Sequence, residues 1–423
     1  MIIRARTVVT MDGPPIENGA IALSEDRIVD VAKFDEIKAR HTGEVIDLGE
    51  QALLPGLINA HCHLDYTCLR GKIPPQRSFT DWIRAINAEK AKLTPDDYVA
   101  SINDGLDEAR RFGTTTIANL TAFPELILRI RAPIRTWWFA ELIDIRAPER
   151  AKELVDRAIE SLGGARPLAT AEPGHGEGGP GAPWGLAPHA LFTASKDVYR
   201  RCEEIARRQK ALLTTHLAES REEMQMFRDA SGPLYEFLKS IGRWMDDCGN
   251  KTPLEHFFKI RDSWTPKAFG VRNDSSWMVV HLNELAESDF ELLERSASKF
   301  HIVHCPRSHN FFGHSPLWLE RLRLLGFNIC LGTDSLASNE NLSLFAEMRA
   351  FQKAFPSVWP KAVFRMVTVN PAMALHQENV LGRIRRGFEA DLIAVPCSGS
   401  TDVFEQIIAF EAPVNWLMVN GKM

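Results

Sequence analysis

The stretch 53-LLPGLINAHCHLDYT-67 places two histidines, His61 and His63, one residue apart and shortly after a Pro-Gly pair. Its apolar residues predict a buried β-strand, and the histidines stand at the carboxyl end of that strand. Side chains at positions i and i+2 of a strand point to the same side, so both imidazoles could bind one ion. Because such a triplet also arises by chance, the interpretation depends on whether the rest of the chain supplies further ligands.

The bulk composition excludes several classes of protein. The chain has 423 residues, of which 45% are hydrophobic and 25% are charged, as in ordinary globular proteins. This length suits one large domain and one smaller domain. The net charge of −5 gives no reason to expect binding to nucleic acid or to an anionic membrane. No apolar run approaches the roughly 18 residues that a membrane helix needs.

Cysteine usage and the N-terminal sequence predict a cytoplasmic location. The seven cysteines are scattered along the chain, and no CxxC pair occurs among them. The N-terminal residues MIIRARTVVTMDG alternate like a strand and lack the apolar core and cleavage site of a signal peptide.

The middle of the chain alternates strand-like runs with helical periodicity. The predicted strands are 55-PGLINAH-61, 114-TTTIANL-120, 134-IRTWWFAEL-142, 184-WGLAPHA-190, 211-ALLTTHL-217, 277-WMVVHL-282, 300-FHIVHC-305 and 327-FNICLGTD-334. Helices are predicted between them, for example over 95–113 and 149–164. Eight strands that alternate with helices predict an α/β fold with a (β/α)₈ TIM-type barrel.

The two ends of the chain have a different pattern, with short alternating strands and turn signals. We expect residues 1–54 and 377–423 to form a small composite β-sandwich and residues 55–376 to form the barrel. Two long excursions from the barrel, 171–183 and 221–275, are candidates for lids over the site.

Ionisable residues stand at the ends of other predicted strands as well. His216, His281, His304 and Asp334 end strands 5, 6, 7 and 8, and a barrel of this kind carries its chemistry at the carboxyl ends of its strands. Any one of these histidines alone would be read as a hydrogen-bonded core residue. Asp334 alone could cap a helix predicted to begin near residue 341.

Their joint placement predicts a metal site instead. The expected ligands are His61, His63, His216 and Asp334, with an open position for water. This set of imidazoles and a carboxylate suits Zn²⁺, with Fe²⁺ or Mn²⁺ as alternatives. A second ion would need a bridging anionic ligand such as a modified lysine at the end of strand 4, and the segment after strand 4 offers no early lysine. One divalent ion is therefore predicted.

At this level of detail the chain resembles the amidohydrolase superfamily, in its branch of mononuclear deaminases and chlorohydrolases. The motifs that carry the resemblance are, in chain order, PGLINAHCHLD, APHALFT, THLAES, VVHLNEL, HCPRSHNFFG, LGTDSLASN, VNPAMALH, GRIRRGFEADLIAV and VNGK. The resemblance implies a barrel with a composite β-sandwich. It also implies hydrolytic deamination, in which hydroxide held by the metal attacks an amidine-like carbon and ammonia leaves.

The resemblance also implies catalytic roles. Glu219 looks like the acid/base that protonates a ring nitrogen, although from the residues alone it could be a surface carboxylate that opens the acidic run ESREE. His281 looks like the residue that orients the attacking hydroxide, and Asp334 like the residue that takes its proton.

Substrate contacts follow from the same resemblance, with structural alternatives. His189 resembles a substrate-binding position of purine-nucleoside deaminases or is a loop histidine, and Asp81 and Trp82 in SFTDWI resemble ribose-side contacts or belong to a helix that packs on the barrel. Contacts are also expected from Arg307, His309 and Ser335. His309 stands where Asn is usual in this branch, which argues against plain adenosine as the substrate.

The combination of SFTDWI, CPRSH and GTDSLASN looks most similar to aminodeoxyfutalosine deaminases of menaquinone synthesis. The carboxyphenyl group of that nucleoside could pair with Arg307 or Arg70. Alternatives are methylthioadenosine or S-adenosylhomocysteine deamination, guanine or pterin deamination, and aminotriazine dechlorination. A non-catalytic binding protein on the same fold is a further alternative. The expected partners are a small-molecule substrate and further copies of the chain, in a dimer or a larger homo-oligomer.

Overall fold

The structure, a computed structural model, describes residues 1–163, 184–262, 277–296, 299–399 and 401–423. The predicted lid at 171–183 lies outside the described residues. Of the second candidate lid, 221–275, the described part is 221–262, which contains three helices.

The secondary structure follows the chain in this order. The strands are β1 (Ile2–Val8), β2 (Ile16–Ser24), β3 (Arg27–Lys33), β4 (Val45–Asp47), β5 (Gln51–Pro55), β6 (Leu57–Cys62), β7 (Thr114–Thr121), β8 (Arg135–Leu142), β9 (Trp184–Pro188), β10 (Leu212–Leu217), β11 (Trp277–His281), β12 (His301–His304), β13 (Asn328–Leu331), β14 (Leu392–Pro396) and β15 (Trp416–Met418). The helices are α1 (Phe34–Arg40), α2 (Phe79–Lys90), α3 (Pro95–Arg111), α4 (Ala151–Ser161), α5 (Lys196–Gln209), α6 (Arg221–Asp229), α7 (Pro233–Ser240), α8 (Pro253–Asp262), α9 (Glu287–Arg295), α10 (Pro306–Phe312), α11 (Leu319–Leu324), α12 (Leu344–Ala354), α13 (Pro360–Arg365), α14 (Val369–Ala374) and α15 (Val403–Ala409). Three short 3₁₀ segments span Leu64–Leu69, Pro124–Arg129 and Pro148–Arg150.

The eight predicted barrel strands are confirmed. Strands β6 to β13 form one sheet in sequential order, and every pairing within it is parallel. A parallel bridge between Cys62 and Asp334 joins the first strand to the segment after the last. The sheet therefore nearly closes on itself, and the carboxyl ends of all eight strands meet at one mouth.

Side chains with period two fill the barrel. Pairs such as Ile58 and Ala60 on β6, or Met278 and Val280 on β11, belong to one buried cluster inside the sheet. Residues at the intervening positions of these strands belong to a larger cluster that includes the surrounding helices. Strands buried on both faces read as continuous apolar runs, which is why the sequence located them well.

The two chain ends pair with each other, as predicted. Strands β1 to β5 join β14 and β15 in one seven-stranded mixed sheet, in which β14 lies antiparallel to β5. Hydrogen bonding links all seven strands into a single sheet.

The Pro55-Gly56 pair lies where the chain passes from this sheet to the barrel. Pro55 ends β5 rather than opening the barrel strand, and β6 begins at Leu57. Between them, the Gly56 amide donates to the Asp391 carbonyl oxygen at 2.8 Å. A Cβ on Gly56 would lie 2.2 Å from Oγ1 of Thr115, which is on β7. The close approach of the chain to β7 at this point therefore requires glycine.

A buried ion network connects the barrel to the mixed sheet. The guanidinium of Arg135, at the start of β8, donates from Nε to Asp391 Oδ2 at 2.7 Å and contacts the Glu389 carboxylate. All three side chains are buried. Arg27, on β3, adds a second cation 3.2 Å from Glu389.

Among the described residues, no helix combines the length and the apolar character that crossing a membrane requires.

Replacement of Arg135 by Met tests the importance of the ion network. Removal of Arg135 leaves the buried Asp391 carboxylate without its cation and Glu389 with Arg27 alone, so we expect the free energy of unfolding to fall by about 3–5 kcal/mol. Urea denaturation followed by fluorescence measures this change. In the matched control, Arg129→Met, the lost pair is with the exposed Asp96, and the expected change is within about 0.5 kcal/mol. Equal unfolding midpoints for both variants would contradict the role given to Arg135.

Candidate functional site

Three histidines meet at the mouth of the barrel. His61 and His63 come from the end of β6, and His216 comes from β10 on the opposite side. Each offers a ring nitrogen such that the three atoms lie within 4.8 Å of one another, and all three residues are buried. The structure thus brings together the histidines that the sequence selected.

A bulge in β6 directs these histidines inward. The pairing of β6 with β7 shifts by one residue between Asn59 and Cys62. Simple alternation would leave His61 on the same face as Asn59, away from the interior positions Ile58 and Ala60. The extra residue re-aims the strand end, as bulges beside active sites commonly do.

A hydrogen-bond partner fixes where the proton of His216 lies. His216 Nδ1 is 2.8 Å from the His189 carbonyl oxygen, which can only accept. The proton is therefore on Nδ1, and the Nε2 lone pair of His216 points into the cluster, 3.2 Å from His63 Nε2. His63 Nδ1 lies 3.6 Å from Glu141 Oε1, which is too far for a hydrogen bond. Burial is the main reason that the pKa of each ring lies below its usual value.

His61 completes the fit to a cation. Both of its ring nitrogens are buried and have no hydrogen-bond partner in the described part of the chain. A buried polar atom without a partner costs free energy, and a bound metal ion would satisfy it. Neutral imidazoles are common ligands of Zn²⁺ and related divalent ions. The cluster is therefore compatible with one such ion.

Asp334 lies beside this cluster. Its Oδ1 is 3.7 Å from His61 Nε2 and 4.0 Å from His63 Nε2. Its Oδ2 accepts a hydrogen bond from Ser308 Oγ at 2.6 Å. Burial opposes ionisation of this carboxyl group, but the nearby imidazoles of His61 and His281 hold its pKa well below the usual range. The group is therefore a carboxylate available to a cation.

The alternative reading of Asp334 as a helix cap is wrong. The next helix, α12, begins at Leu344, and its N-cap is Ser343. Asp334 Oδ1 instead accepts the neighbouring Ser335 amide at 2.8 Å.

Glu219 is buried and not on the surface. Its Oε1 is 3.6 Å from His281 Nε2 and 3.7 Å from His314 Nε2. Burial raises the pKa of Glu219 to about 8, so the carboxyl group keeps its proton at neutral pH. The ring of His281 is in turn 5.5 Å from the ring of His216. A proton donor thus lies next to the histidine cluster.

A second carboxyl group holds Glu219 in place. Glu223 is fully buried and accepts the amides of Ala218 at 3.1 Å and of Glu219 at 2.8 Å. Asn283 Nδ2 donates to the Glu219 carbonyl oxygen at 3.0 Å, and Asn283 Oδ1 is 3.2 Å from His309 Nδ1. The predicted contact residue His309 therefore belongs to the frame around Glu219.

Left-handed backbone conformations cluster at this mouth. Ala218, His281, Leu282 and Asp334 have φ angles of 51°, 75°, 52° and 56°. Such conformations are costly for residues other than glycine and persist only where the surroundings impose them, commonly at functional sites.

His189 lies on the other side of the cluster. Its ring is 4.8 Å from that of His216, and its Nε2 is 3.8 Å from Glu141 Oε1. Glu141 therefore lies between His63 and His189, two histidines that the sequence had singled out separately.

Aromatic side chains stand beside Glu219. Phe79 stacks on Trp82 with ring centroids 6.0 Å apart, and Phe312 packs against both. His314 stacks on Phe312 at 5.1 Å. We call Phe79, Trp82, Phe312 and His314 the aromatic cluster.

The aromatic cluster is tied to the loop that carries Glu219. The carboxylate of Glu222 accepts the amides of Phe79 at 2.9 Å and of Thr80 at 3.0 Å. An acidic group at the first turn of a helix also interacts favourably with the helix dipole. This contact fixes the N-terminus of α2 next to the site.

The remaining predicted contact residues are less centrally placed. Asp81 is partly exposed and its Oδ1 lies 3.3 Å from Arg84 Nη1. Arg307 Nη2 is 2.8 Å from Glu340 Oε2, and Arg70 contacts the Glu108 carboxylate. Both arginines that were expected to meet a substrate carboxylate are thus engaged by protein carboxylates.

His304, which ends β12, does not join the three-histidine cluster. Its buried ring faces His309, with centroids 5.1 Å apart.

Sequence reasoning missed several residues of the site, among them Glu141, Glu222, Glu223, Asn283, Phe312 and His314. Two of them carried a usable signal. Glu141 ends a predicted strand, in the same way as the histidines, and Asn283 follows His281 in VVHLNEL.

Comparisons with known proteins show what the chain is similar to. The sequence profile of the Amidohydrolase family matches residues 52–423. A 5-methylthioadenosine/S-adenosylhomocysteine deaminase from Nitratidesulfovibrio vulgaris (strain Hildenborough) is 28% identical over 408 residues, which cover 93% of this chain and 83% of the relative.

Two solved structures share the fold across the whole chain. The aminofutalosine deaminase of Helicobacter pylori in complex with methylthio-coformycin has a TM-score of 0.82 at 20% identity, and the match covers 100% of this chain and 99% of that protein. An adenosine deaminase from Xanthomonas campestris with bound zinc has a TM-score of 0.78 at 22% identity, with coverage of 100% and 92%.

Zinc binding to the metal-free protein tests the histidine cluster. We expect calorimetric titration to give one zinc site per chain. We expect His216→Ala to weaken zinc binding by about 100-fold or more, because loss of a metal ligand costs more affinity than loss of a residue that only orients a ligand. His41→Ala is the matched control, since His41 pairs with Asp30 away from the barrel mouth. Unchanged affinity in His216→Ala would exclude the cluster as the metal site.

Proposed function

This chain belongs to the amidohydrolase family and is a hydrolase that acts on carbon–nitrogen bonds, and we propose that it removes the amino group of an aminated purine nucleoside with one bound divalent metal ion. The observation that carries the proposal is the protonated, buried Glu219 beside the three-histidine cluster. Deamination of an aromatic amidine needs both a hydrolytic centre and an acid that protonates the ring nitrogen.

We assign the metal to His61, His63, His216 and Asp334. Zinc is the proposed ion, and the zinc in the Xanthomonas campestris structure supports this choice; iron and manganese are the alternatives. When bound, such an ion would lower the pKa of a coordinated water to about 7 and so supply hydroxide at neutral pH.

Glu219 serves as the proton donor in this proposal. Because burial raises the pKa of Glu219 to about 8, its carboxyl group is protonated at neutral pH. It can give that proton to the ring nitrogen of the substrate. The nitrogen then draws electrons from the carbon under attack. Glu223 and Asn283 keep the carboxyl group in position through the backbone on both sides of it.

His281 and Asp334 act on the attacking water. Burial is the main reason that the pKa of His281 lies well below its usual value, so the ring is neutral and can accept or donate a hydrogen bond to orient that water. Asp334 is ionised and can take the proton. Transfer of this proton to the departing amine completes the loss of ammonia.

Within this class, aminodeoxyfutalosine is the proposed substrate. Support comes from the motifs SFTDWI, CPRSH and GTDSLASN and from the similarity to the Helicobacter pylori aminofutalosine deaminase. The aromatic cluster and His189 would face the base and the sugar, and His309 and Ser335 belong to the frames around Glu219 and Asp334. A place in menaquinone synthesis would follow from this substrate.

Methylthioadenosine or S-adenosylhomocysteine is the second candidate substrate, because the relatives that align along most of the chain are deaminases named for these two compounds. Guanine, pterins and aminotriazines are more distant alternatives. A cytoplasmic location and a homo-oligomeric state stay predictions from the sequence and the family resemblance.

A substrate panel tests the proposed reaction. We expect the zinc-loaded protein to convert the adenine of aminodeoxyfutalosine to hypoxanthine, followed by absorbance, with a higher kcat/KM than for methylthioadenosine, S-adenosylhomocysteine or adenosine. Turnover of guanine, a pterin or an aminotriazine alone would overturn the nucleoside proposal.

The substitution Glu219→Gln tests the acid. We expect kcat to fall by about 10²- to 10⁴-fold, the usual contribution of a general acid, while zinc content stays at the wild-type level. Glu125→Gln, at an exposed position, is the control and should retain wild-type kcat. A Glu219→Gln enzyme with normal kcat would exclude the assigned role.

A further inference from the structure

One face of α2 runs along the mouth of the barrel. Trp82, Ile86 and Lys90 are spaced at four-residue intervals and lie on the same side of the helix. Trp82 belongs to the aromatic cluster, whereas Lys90 lies eight residues further on, which is about 12 Å along a helix. The same helix face thus presents an aromatic ring at one end and an ammonium group at the other.

Lys90 lies one ring away from the histidine cluster. Its Nζ is 4.6 Å from the centroid of the Tyr66 ring. Tyr66 stacks on His63 with ring centroids 5.9 Å apart and an interplanar angle of 22°. The three side chains form a continuous stack that leads from a proposed metal ligand to a cation.

The charge of Lys90 has no direct carboxylate partner. In the described ranges of the chain, no carboxylate oxygen lies within 4.0 Å of its Nζ, whereas the nearby Lys92 pairs with Glu89 at 2.6 Å. The positive charge does act on the buried carboxyl groups of Asp65 and Glu141. An unpaired cation at the edge of a buried site can bind an anion at little cost in broken contacts.

Polar atoms next to Lys90 also lack partners. The Tyr66 hydroxyl and Asp65 Oδ1 are buried and make no hydrogen bond within the described residues. The Tyr66 hydroxyl is a donor without an acceptor on the ring that Lys90 covers.

We propose that Lys90 binds a carboxylate at the far end of the substrate and thereby determines specificity. This inference rests on the proposed function and deepens it, because it names the residue that would select a carboxylated nucleoside over a neutral one. It gives Lys90 the task that the sequence had suggested for Arg307 or Arg70, both of which are engaged by protein carboxylates.

The purely structural alternative makes a different prediction. If Lys90 only offset the charges of Asp65 and Glu141, its loss would affect every substrate to the same extent. If it binds a substrate carboxylate, its loss affects only substrates that carry one.

The test compares Lys90→Met with Lys92→Met on three nucleosides: aminodeoxyfutalosine, which carries a carboxyphenyl group, S-adenosylhomocysteine, which carries an amino-acid carboxylate, and the neutral methylthioadenosine. We expect Lys90→Met to lower kcat/KM about 10- to 100-fold for a carboxylated substrate, mainly through KM. Methylthioadenosine should be unaffected, and Lys92→Met should behave as wild type. The two carboxylated nucleosides distinguish the sources of the carboxylate.

Each other outcome is informative. Equal losses for charged and neutral nucleosides, or no loss, would overturn the role of Lys90 while leaving the deaminase proposal intact. If the wild-type protein deaminates none of them, the proposed function fails. Calorimetric binding of the carboxylated nucleosides then decides separately whether Lys90 holds the carboxylate, since the wild type and Lys92→Met should bind them tightly and Lys90→Met should not.

Discussion

The convergence of three buried imidazoles is the constraint on which the rest of the site depends. The Nε2 atoms of His63 and His216 lie 3.2 Å apart, and the Nδ1 hydrogen of His216 is directed to the His189 carbonyl oxygen. Burial opposes protonation of both rings, and both ring nitrogens of His61 are buried without a hydrogen-bond partner in the described part of the chain. A cation at the centre would satisfy these nitrogens together. The carbonyl oxygen that fixes the His216 tautomer supports the cluster from outside it.

Carboxyl groups organise the mouth of the barrel in a second way, as acceptors for backbone amides. Glu223 holds the amides before and at Glu219, Glu222 holds the first turn of α2, and Glu347 accepts the Arg307 amide at 3.0 Å. Beyond its last residue, a parallel strand offers no neighbour for these groups, and buried amides need a partner. Glu223 thus fixes the loop that follows β10, and Glu347 fixes the turn that follows β12. The contact of Glu223 with the Ala218 amide also helps to maintain the left-handed conformation of Ala218.

The barrel and the histidine cluster could be predicted because their patterns are local. Apolar runs located the strands, and a ligand at the end of a strand shows in the sequence. Long-range geometry could not be predicted in this way. The bulge in β6 depends on register with β7, and the engagement of Arg307 depends on Glu340 and Asn341, which lie on a distant loop. The proton on Glu219 depends on how fully the surroundings exclude water, so its burial was not visible in the acidic run that follows it.

In the proposed function, the reaction and the choice of substrate depend on different parts of the fold, and α2 connects them. The proposed chemistry uses side chains at the ends of barrel strands, which rigid backbone holds in place. The proposed selection of the substrate uses side chains on helices and loops. Because Glu222 fixes one end of α2 to the loop of Glu219, and Lys90 near the other end packs over Tyr66 against His63, this helix has two separate contacts with the reacting centre. A carboxylate bound at Lys90 would therefore be held by the same helix that is fixed to the loop of Glu219. Binding at this distance from the reacting carbon would then also orient the substrate base for attack.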